Sequence, residues 1–153
     1  MDPTDRKIIE RIMKDGRVTW KELAFELKLS APTIAERVRG LEEEKVILGY
    51  TAVVDPAAVG CDLAAFVGVT LARPDDREPF LKKVAKIAEI QECHHIAGDY
   101  DYLLKIRCAN TKSLDRLISN EIKELKGVVR TQTTIVLGSL KETSMLPCLG
   151  SNK

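Results

Sequence analysis

A chain of 153 residues with 44% hydrophobic and 31% charged residues has enough apolar content for one ordinary domain or two small ones, which excludes a disordered chain. No apolar run reaches the roughly 18 residues needed to cross a bilayer, and the polar opening Met1-Asp2-Pro3-Thr4-Asp5-Arg6 lacks the regions of a signal peptide, so no membrane partner and a cytoplasmic location are expected. The net charge is only +1, and residues 1–50 hold ten basic and ten acidic side chains, so any nucleic-acid partner must be held by local charge placement and doubled contacts.

Three helical patterns come first. Ile8, Ile9, Ile12 and Met13 recur at helical spacing behind Asp5, the expected N-cap, and stop at Asp15-Gly16. Thr19 and Glu22 have the spacing of a capping box ahead of Trp20, Leu23, Ala24 and Leu27. After the short connection Lys28-Leu29, Ser30 is placed to cap a third helix with Pro32 in its first turn and Ile34, Val38 and Leu41 as its buried stripe.

Two helices joined by so short a turn have helix-turn-helix geometry. Thr33, Glu36, Arg37 and Arg39 fall on the outer face of the third helix, where hydroxyls and guanidinium groups suit phosphate and the acceptor edge of guanine. Periodicity alone also allows a plain helical hairpin with a solvated face. Glu42, Glu43 and Glu44 at the helix exit must point away from a phosphate backbone. Val46–Val54 reads as an extended linker strand, closed by Asp55-Pro56 and Gly60.

Beyond it the period changes to two. Leu63, Ala65, Val67, Val69 and Leu71 alternate as a strand; Pro74 to Arg77 is a loop; Pro79 opens a helix with Phe80, Leu81, Val84, Ile87 and Ala88 inward. Glu92–Ala97 is a weak strand, Gly98-Asp99 a turn, and Tyr102, Leu104, Ile106 and Cys108 alternate along the next strand. Thr111 or Ser113 caps a second helix bearing Leu114, Leu117, Ile118, Ile122 and Leu125 and ending at Gly127, and a last strand runs from Val128 to Leu137. The order βαββαβ predicts an α+β, ferredoxin-like domain with helices on one face of the sheet. The other face keeps apolar residues in either register, so a homodimer is expected to cover it.

The arrangement resembles the Lrp/AsnC (feast/famine) regulators. Asp5-Arg6-Lys7-Ile8-Ile9 is similar to that family's opening helix, Leu23-Ala24 and Leu29-Ser30 to its helix-turn-helix, and Arg37-Val38-Arg39, Leu41-Glu42-Glu43 and Ile47-x-Gly49-Tyr50 to the exit of its recognition helix. The most specific match is Gly98-Asp99-Tyr100-Asp101-Tyr102-Leu103-Leu104, the signature of its ligand-binding domain. Gly40 stands where a basic residue is common and Lys45 where a glycine often ends the helix; a left-handed Lys45 would cost about 1 kcal/mol.

The resemblance implies a winged-type helix-turn-helix domain over residues 1–49, a linker strand and hinge over 50–61, a ferredoxin-like effector and dimerisation domain over 62–142 and a tail over 143–153. It implies a sequence-specific regulator of transcription that binds double-stranded DNA as a homodimer or, at the upper limit, an octamer. Ser30, Ala31, Thr33, Arg37 and Arg39 are the expected DNA-binding residues, on half-sites about 34 Å apart. A small effector, commonly an amino acid in this family, is expected at Gly98, Asp99, Tyr100, Asp101, Thr131, Thr133 and Thr134: backbone N–H groups at the glycine turn for a carboxylate, and acids and hydroxyls for an ammonium. Thr131 and Thr133 share one face of the last strand and Thr134 lies on the other. Without the resemblance, the Gly98 segment reads first as a hairpin turn with an aromatic anchor and only second as a binding site.

Other chemistries find less support. Cys61, Cys93, Cys108 and Cys148 include no Cys-x-x-Cys pair, and His94 and His95, adjacent on a strand, point to opposite faces, so neither a disulfide framework nor a metal site is expected. No nucleophile elbow, Walker loop or dinucleotide fingerprint occurs, so no catalytic residue and no cofactor are expected. Sirohaem decarboxylases have a similar architecture and functional histidines near His94 and His95, but lack the Gly98-Asp99-Tyr100-Asp101 turn. An architectural DNA-coating protein without an effector is the remaining alternative.

Overall fold

The computed structural model describes residues 1–148, so the last part of the tail expected over 143–153 lies outside the described residues. The chain divides into two units, Met1–Val53 with the chain from Lys141, and Val54–Leu140. The linker expected over 50–61 is therefore shared between the units instead of standing apart.

In the first unit, helix α1 (Pro3–Lys14) starts one turn earlier than expected. Asp2 is its N-cap, and Asp5 is the return arm of a capping box: Asp5 N–H donates to Asp2 Oδ1 at 2.9 Å and Asp2 N–H to Asp5 Oδ2 at 2.7 Å. Pro3 at the first helical position has no N–H to leave unpaired, which favours that start. Helix α2 (Trp20–Leu27) carries the Thr19–Glu22 capping box read from the sequence, and α3 (Ala31–Glu43) is capped by Ser30, whose Oγ accepts from Thr33 N–H at 3.2 Å. Ile8, Leu23 and Ile34 are fully buried and, with Ile12, Val18, Ala24, Val38 and Leu41, form the core of this unit. Each such side chain contributes about 1.5–3 kcal/mol of hydrophobic stabilisation.

Both helix ends that flank α3 use lysine in the left-handed region. Lys28 (φ 56°) closes α2, with Leu29 N–H donating to Ala24 O at 2.9 Å; Lys45 (φ 56°) closes α3, with Val46 N–H donating to Leu41 O at 2.8 Å. These are Schellman closures, where glycine is the unstrained residue. Val46–Val54 forms no hydrogen-bonded strand, contrary to the linker strand expected there. A strand needs a neighbour's donors and acceptors, and among the described residues no strand pairs with this segment.

The second unit is a four-stranded antiparallel sheet of order β2-β3-β1-β4, built from β1 (Leu63–Leu71), β2 (Ile90–His95), β3 (Tyr102–Cys108) and β4 (Val128–Ile135). A 3₁₀ turn at Pro74–Asp76 leads into α4 (Arg77–Val84), and α5 (Thr111–Arg116) runs into a π-helical segment, Leu117–Ile122. The inward stretch expected to continue through Ala88 stops earlier: α4 ends at Val84 and Ala88 is exposed. The cap of α5 is neither Thr111 nor Ser113 but Asn110, whose side chain accepts from Ser113 N–H at 3.0 Å. Gly127 (φ 90°) lies beyond the helix, ahead of β4, where a side chain would meet Asp76.

Register fixes the two faces. Ala65, Val67 and Val69 stand opposite Ile106, Leu104 and Tyr102 and pack with Phe80, Val84, Leu114, Leu117, Ile118 and Ile122 into the second core. The Phe80 and Tyr102 rings lie 5.0 Å apart. The other face carries Phe66, Gly68, Leu103, Lys105, Arg130, Gln132 and Thr134, with no helix of this unit covering it.

Candidate DNA-binding helix and effector region

The caps set how α3 is presented. Ser30 Oγ and Thr33 Oγ1 are 2.7 Å apart, so both hydroxyls expected at DNA sit together at the N-terminal turn, beside Ala31. Backbone donors of that turn and the positive end of the helix dipole make it a favourable place for a phosphate. The exposed stripe of α3 is Pro32, Glu36, Arg39 and Glu43. Arg39 has no protein partner among the described residues, and neither have Lys21 and Lys28 on and after α2.

Arg37 is placed differently from the expectation. Its side chain is only 33% exposed, and Nη1 donates to Asp2 Oδ2 and Asp5 Oδ1, each at 2.7 Å. The Asp2 carboxyl is held below its ordinary value of 3.8 first by the Asp5 N–H and then by Arg37. Arg11 likewise engages Glu26 at 3.1 Å and Asp15 at 3.4 Å. Four of the ten acids of this region are thereby committed to two arginines, which reconciles a neutral sequence with free cations at the α2–α3 surface. At the exit of α3, Tyr50 Oη donates to Glu42 Oε1 at 2.7 Å, and burial followed by this bond pushes its pKa up to about 12.

The expected effector residues divide over three places. Gly98 and Asp99 are exposed at the tip of a loop closed by Ile96 N–H donating to Asp101 O at 3.0 Å. Tyr100 folds back onto the open face of the sheet, over Gly68; its hydroxyl donates to Gln132 Oε1, and the Arg130 guanidinium lies 5.4 Å from its ring centroid. Thr134, opposite Phe66, is on that same face. Thr131 and Thr133, opposite Val69 and Val67, are on the helix-bearing face. Of the three expected threonines, Thr134 therefore shares a face with Tyr100, and Thr131 and Thr133 do not.

Asp101 has a structural task that its sequence position did not reveal. Strand β1 outruns β3, whose first residue Tyr102 stands opposite Val69, so Leu71 N–H meets no β3 carbonyl. The Asp101 carboxylate receives it at 2.7 Å, while Asp101 N–H donates to Val69 O at 3.0 Å. A cavity of about 240 Å³ borders Asp101 and is lined by Arg73, Arg77, His95 and Tyr102. Arg130, Gln132 and Gly68 were missed in the sequence. Arg130, Gln132 and Thr134 do alternate, but only the β1–β4 register brings them to Tyr100.

His94 and His95 fall on opposite faces, as strand alternation requires. His94 Nε2 is 3.0 Å from Glu92, which also accepts from Lys105 at 2.9 Å; the His95 ring lies 5.2 Å from that of Tyr102. His94 and then Lys105 hold the Glu92 carboxyl below its ordinary value.

Comparison with known proteins agrees with this geometry. The AsnC-type helix-turn-helix domain matches residues 1–42 and the Lrp/AsnC ligand binding domain residues 64–146. The chain is 40% identical over 148 residues to the leucine-responsive regulatory protein of Escherichia coli strain K12, covering 95% of this chain and 90% of that protein. Among solved structures, a transcriptional regulator from Neisseria meningitidis in complex with L-methionine superposes with a TM-score of 0.91 at 30% identity, covering 96% of each chain. A feast or famine regulatory protein from M. tuberculosis complexed with L-methionine gives 0.88 at 34% identity, covering 95% of this chain and 97% of that one. These relatives are regulators and not enzymes, and the helix-turn-helix and the antiparallel α+β domain match their architecture. The chain belongs to the Lrp/AsnC family of transcriptional regulators.

Proposed function

We propose that the protein reads a specific double-stranded DNA sequence with α3 and that a free amino acid modulates this binding through the Gly98–Asp101 region. The observation that carries the DNA reading is the capped N-terminal turn of α3, where Ser30, Ala31 and Thr33 adjoin an exposed stripe with the unpartnered Arg39. Base contact from the first turns of a recognition helix is the helix-turn-helix mode. The effector reading draws on relatives solved with L-methionine and named for leucine.

The open face, with Phe66 38% exposed, supports association of two copies back to back, which gives the assembly two copies of α3. Higher assembly up to an octamer is a further reading of the same kind, and the cytoplasm is the compartment where such a regulator meets DNA. In the effector region, Gly98 and Asp99 offer backbone donors and an unpartnered carboxylate, and Tyr100 and Thr134 offer hydroxyls on one face. Asp101 is engaged with Leu71 N–H, and Thr131 and Thr133 lie on the helix-bearing face, away from Tyr100.

The test is fluorescence anisotropy on a duplex selected from a random pool with the full chain, across a KCl series with and without each of the twenty amino acids. A linear loss of log affinity with log salt, a slope smaller by about one for Arg39→Ala, and a change in affinity with at least one amino acid are expected. An unchanged slope for Arg39→Ala removes that contact, and indifference to all twenty removes the effector.

A further inference from the structure

We infer that Arg37 is a positioning residue of the DNA-reading helix and not one of its DNA contacts: it ties the middle of α3 to the capped start of α1 and so fixes the angle at which α3 meets the groove. This rests on the DNA reading above and adds a component to it.

Both N–H groups of Arg37 Nη1 are spent on the α1 cap. Asp2 uses Oδ1 to cap α1 and Oδ2 to receive Arg37; Asp5 uses Oδ2 for the capping box and Oδ1 for Arg37. One guanidinium nitrogen thus bridges both carboxylates of a single cap. A DNA phosphate reaching the remaining donors of Arg37 would approach the two negative charges already held at 2.7 Å, an unfavourable encounter. The position agrees. Arg37 flanks the buried stripe Ile34, Val38 and Leu41, whereas Arg39 stands on the exposed stripe.

The pair also supplies what the apolar core lacks. Contacts among Ile8, Ile12, Val38 and Leu41 bury area but are individually non-directional. A charge-assisted bridge is directional. Here its acidic end is itself locked by the cap of α1, so the bridge pins α3 to a defined point of a defined helix start.

The experiment uses the full chain and the selected duplex, with Arg37→Gln, the double variant Asp2→Asn/Asp5→Asn and their combination. Affinity is read over a KCl series at a temperature where circular dichroism shows every variant folded. Asparagine caps helices as well as aspartate does, so the double variant keeps the α1 cap and loses the charges. Electrostatics alone makes a DNA-binding domain relieved of two negative charges bind more tightly.

Positioning demands the opposite sign. The double variant binds about fivefold more weakly, Arg37→Gln loses a similar factor with its salt slope unchanged, and the combination loses no more than either. A folded double variant that binds as tightly as wild type or tighter overturns the inference, as does an Arg37→Gln slope reduced by about one, the mark of a lost phosphate contact. Wild-type chain that enriches no sequence from the pool is a different result, which overturns the DNA reading itself and this inference with it.

Discussion

Glycine 68 shows how closely the Tyr100 loop is fitted to the sheet. A Cβ at this position would lie 2.5 Å from Tyr100 Cδ2 and 2.6 Å from Cγ, whereas carbon atoms come to rest about 3.5 Å apart, so Gly68→Ala drives the ring back by about 1 Å. Overpacking of this kind costs about 1–3 kcal/mol. Against it stands the gain of about 0.5–1 kcal/mol from replacing glycine inside a strand. A net loss of up to about 2.5 kcal/mol follows, along with disturbance of the Tyr100–Gln132 hydrogen bond and the Arg130 stacking. In a Tyr100→Ala background the obstacle is gone, and the same substitution should stabilise by about 0.5–1 kcal/mol. Scanning calorimetry at fixed protein concentration on the four chains of this cycle measures both signs. An equal cost in both backgrounds would show that Tyr100 does not rest on Gly68, and the account of the effector face would fail with it.

Other consequences are as direct. Lys45→Gly should raise the stability of the helix-turn-helix unit by about 1 kcal/mol, because it removes a left-handed lysine without touching the closure bonds; denaturation followed by the single tryptophan, Trp20, reports on this unit. Asp101→Ala leaves Leu71 N–H without its acceptor and should cost about 1–3 kcal/mol, seen as a lower melting point without any ligand present. Leu104→Ala, at a fully buried site in the middle of the sheet, should cost about 2.5–5 kcal/mol in chemical denaturation. The Asp2 carboxyl is depressed in the folded state, so its contribution is full above the ordinary value of 3.8 and is lost as pH falls through the lower folded value. An acid titration of wild type and Asp2→Asn should therefore show a stability gap that stays constant from neutrality down to about the ordinary value and closes as pH falls through the lower folded value, and a gap that closes already near neutrality would contradict the assignment.

The helices were legible where one residue does one job. Thr19, Ser30 and the stripe Ile34, Val38 and Leu41 follow from spacing, as do the alternating strands β1 and β3. What stayed hidden depends on partners distant in sequence. Spacing points to Asp5 as the cap, and the bridge from Arg37 that joins Asp2 to it at the start of α1 is invisible until the fold brings position 37 there. Thr134 could not be preferred over Thr131 and Thr133 without the register that sets it opposite Phe66 and beside the Tyr100 face. Asp101 looks like a ligand in a polar turn, and only the unequal lengths of β1 and β3 reveal the N–H it serves. The linker strand was overread because an extended sequence pattern carries no information on whether a neighbour is present to pair with it.

The central claim is that α3 reads sequence, and one ratio tests it most directly: the affinity of the full chain for the duplex it selects, divided by its affinity for a scrambled duplex of equal length and composition, at about 150 mM salt. Specific regulators reach about a thousandfold or more under such conditions. The account predicts a ratio of that order, and a ratio near one would contradict it and leave a protein that coats DNA without reading it.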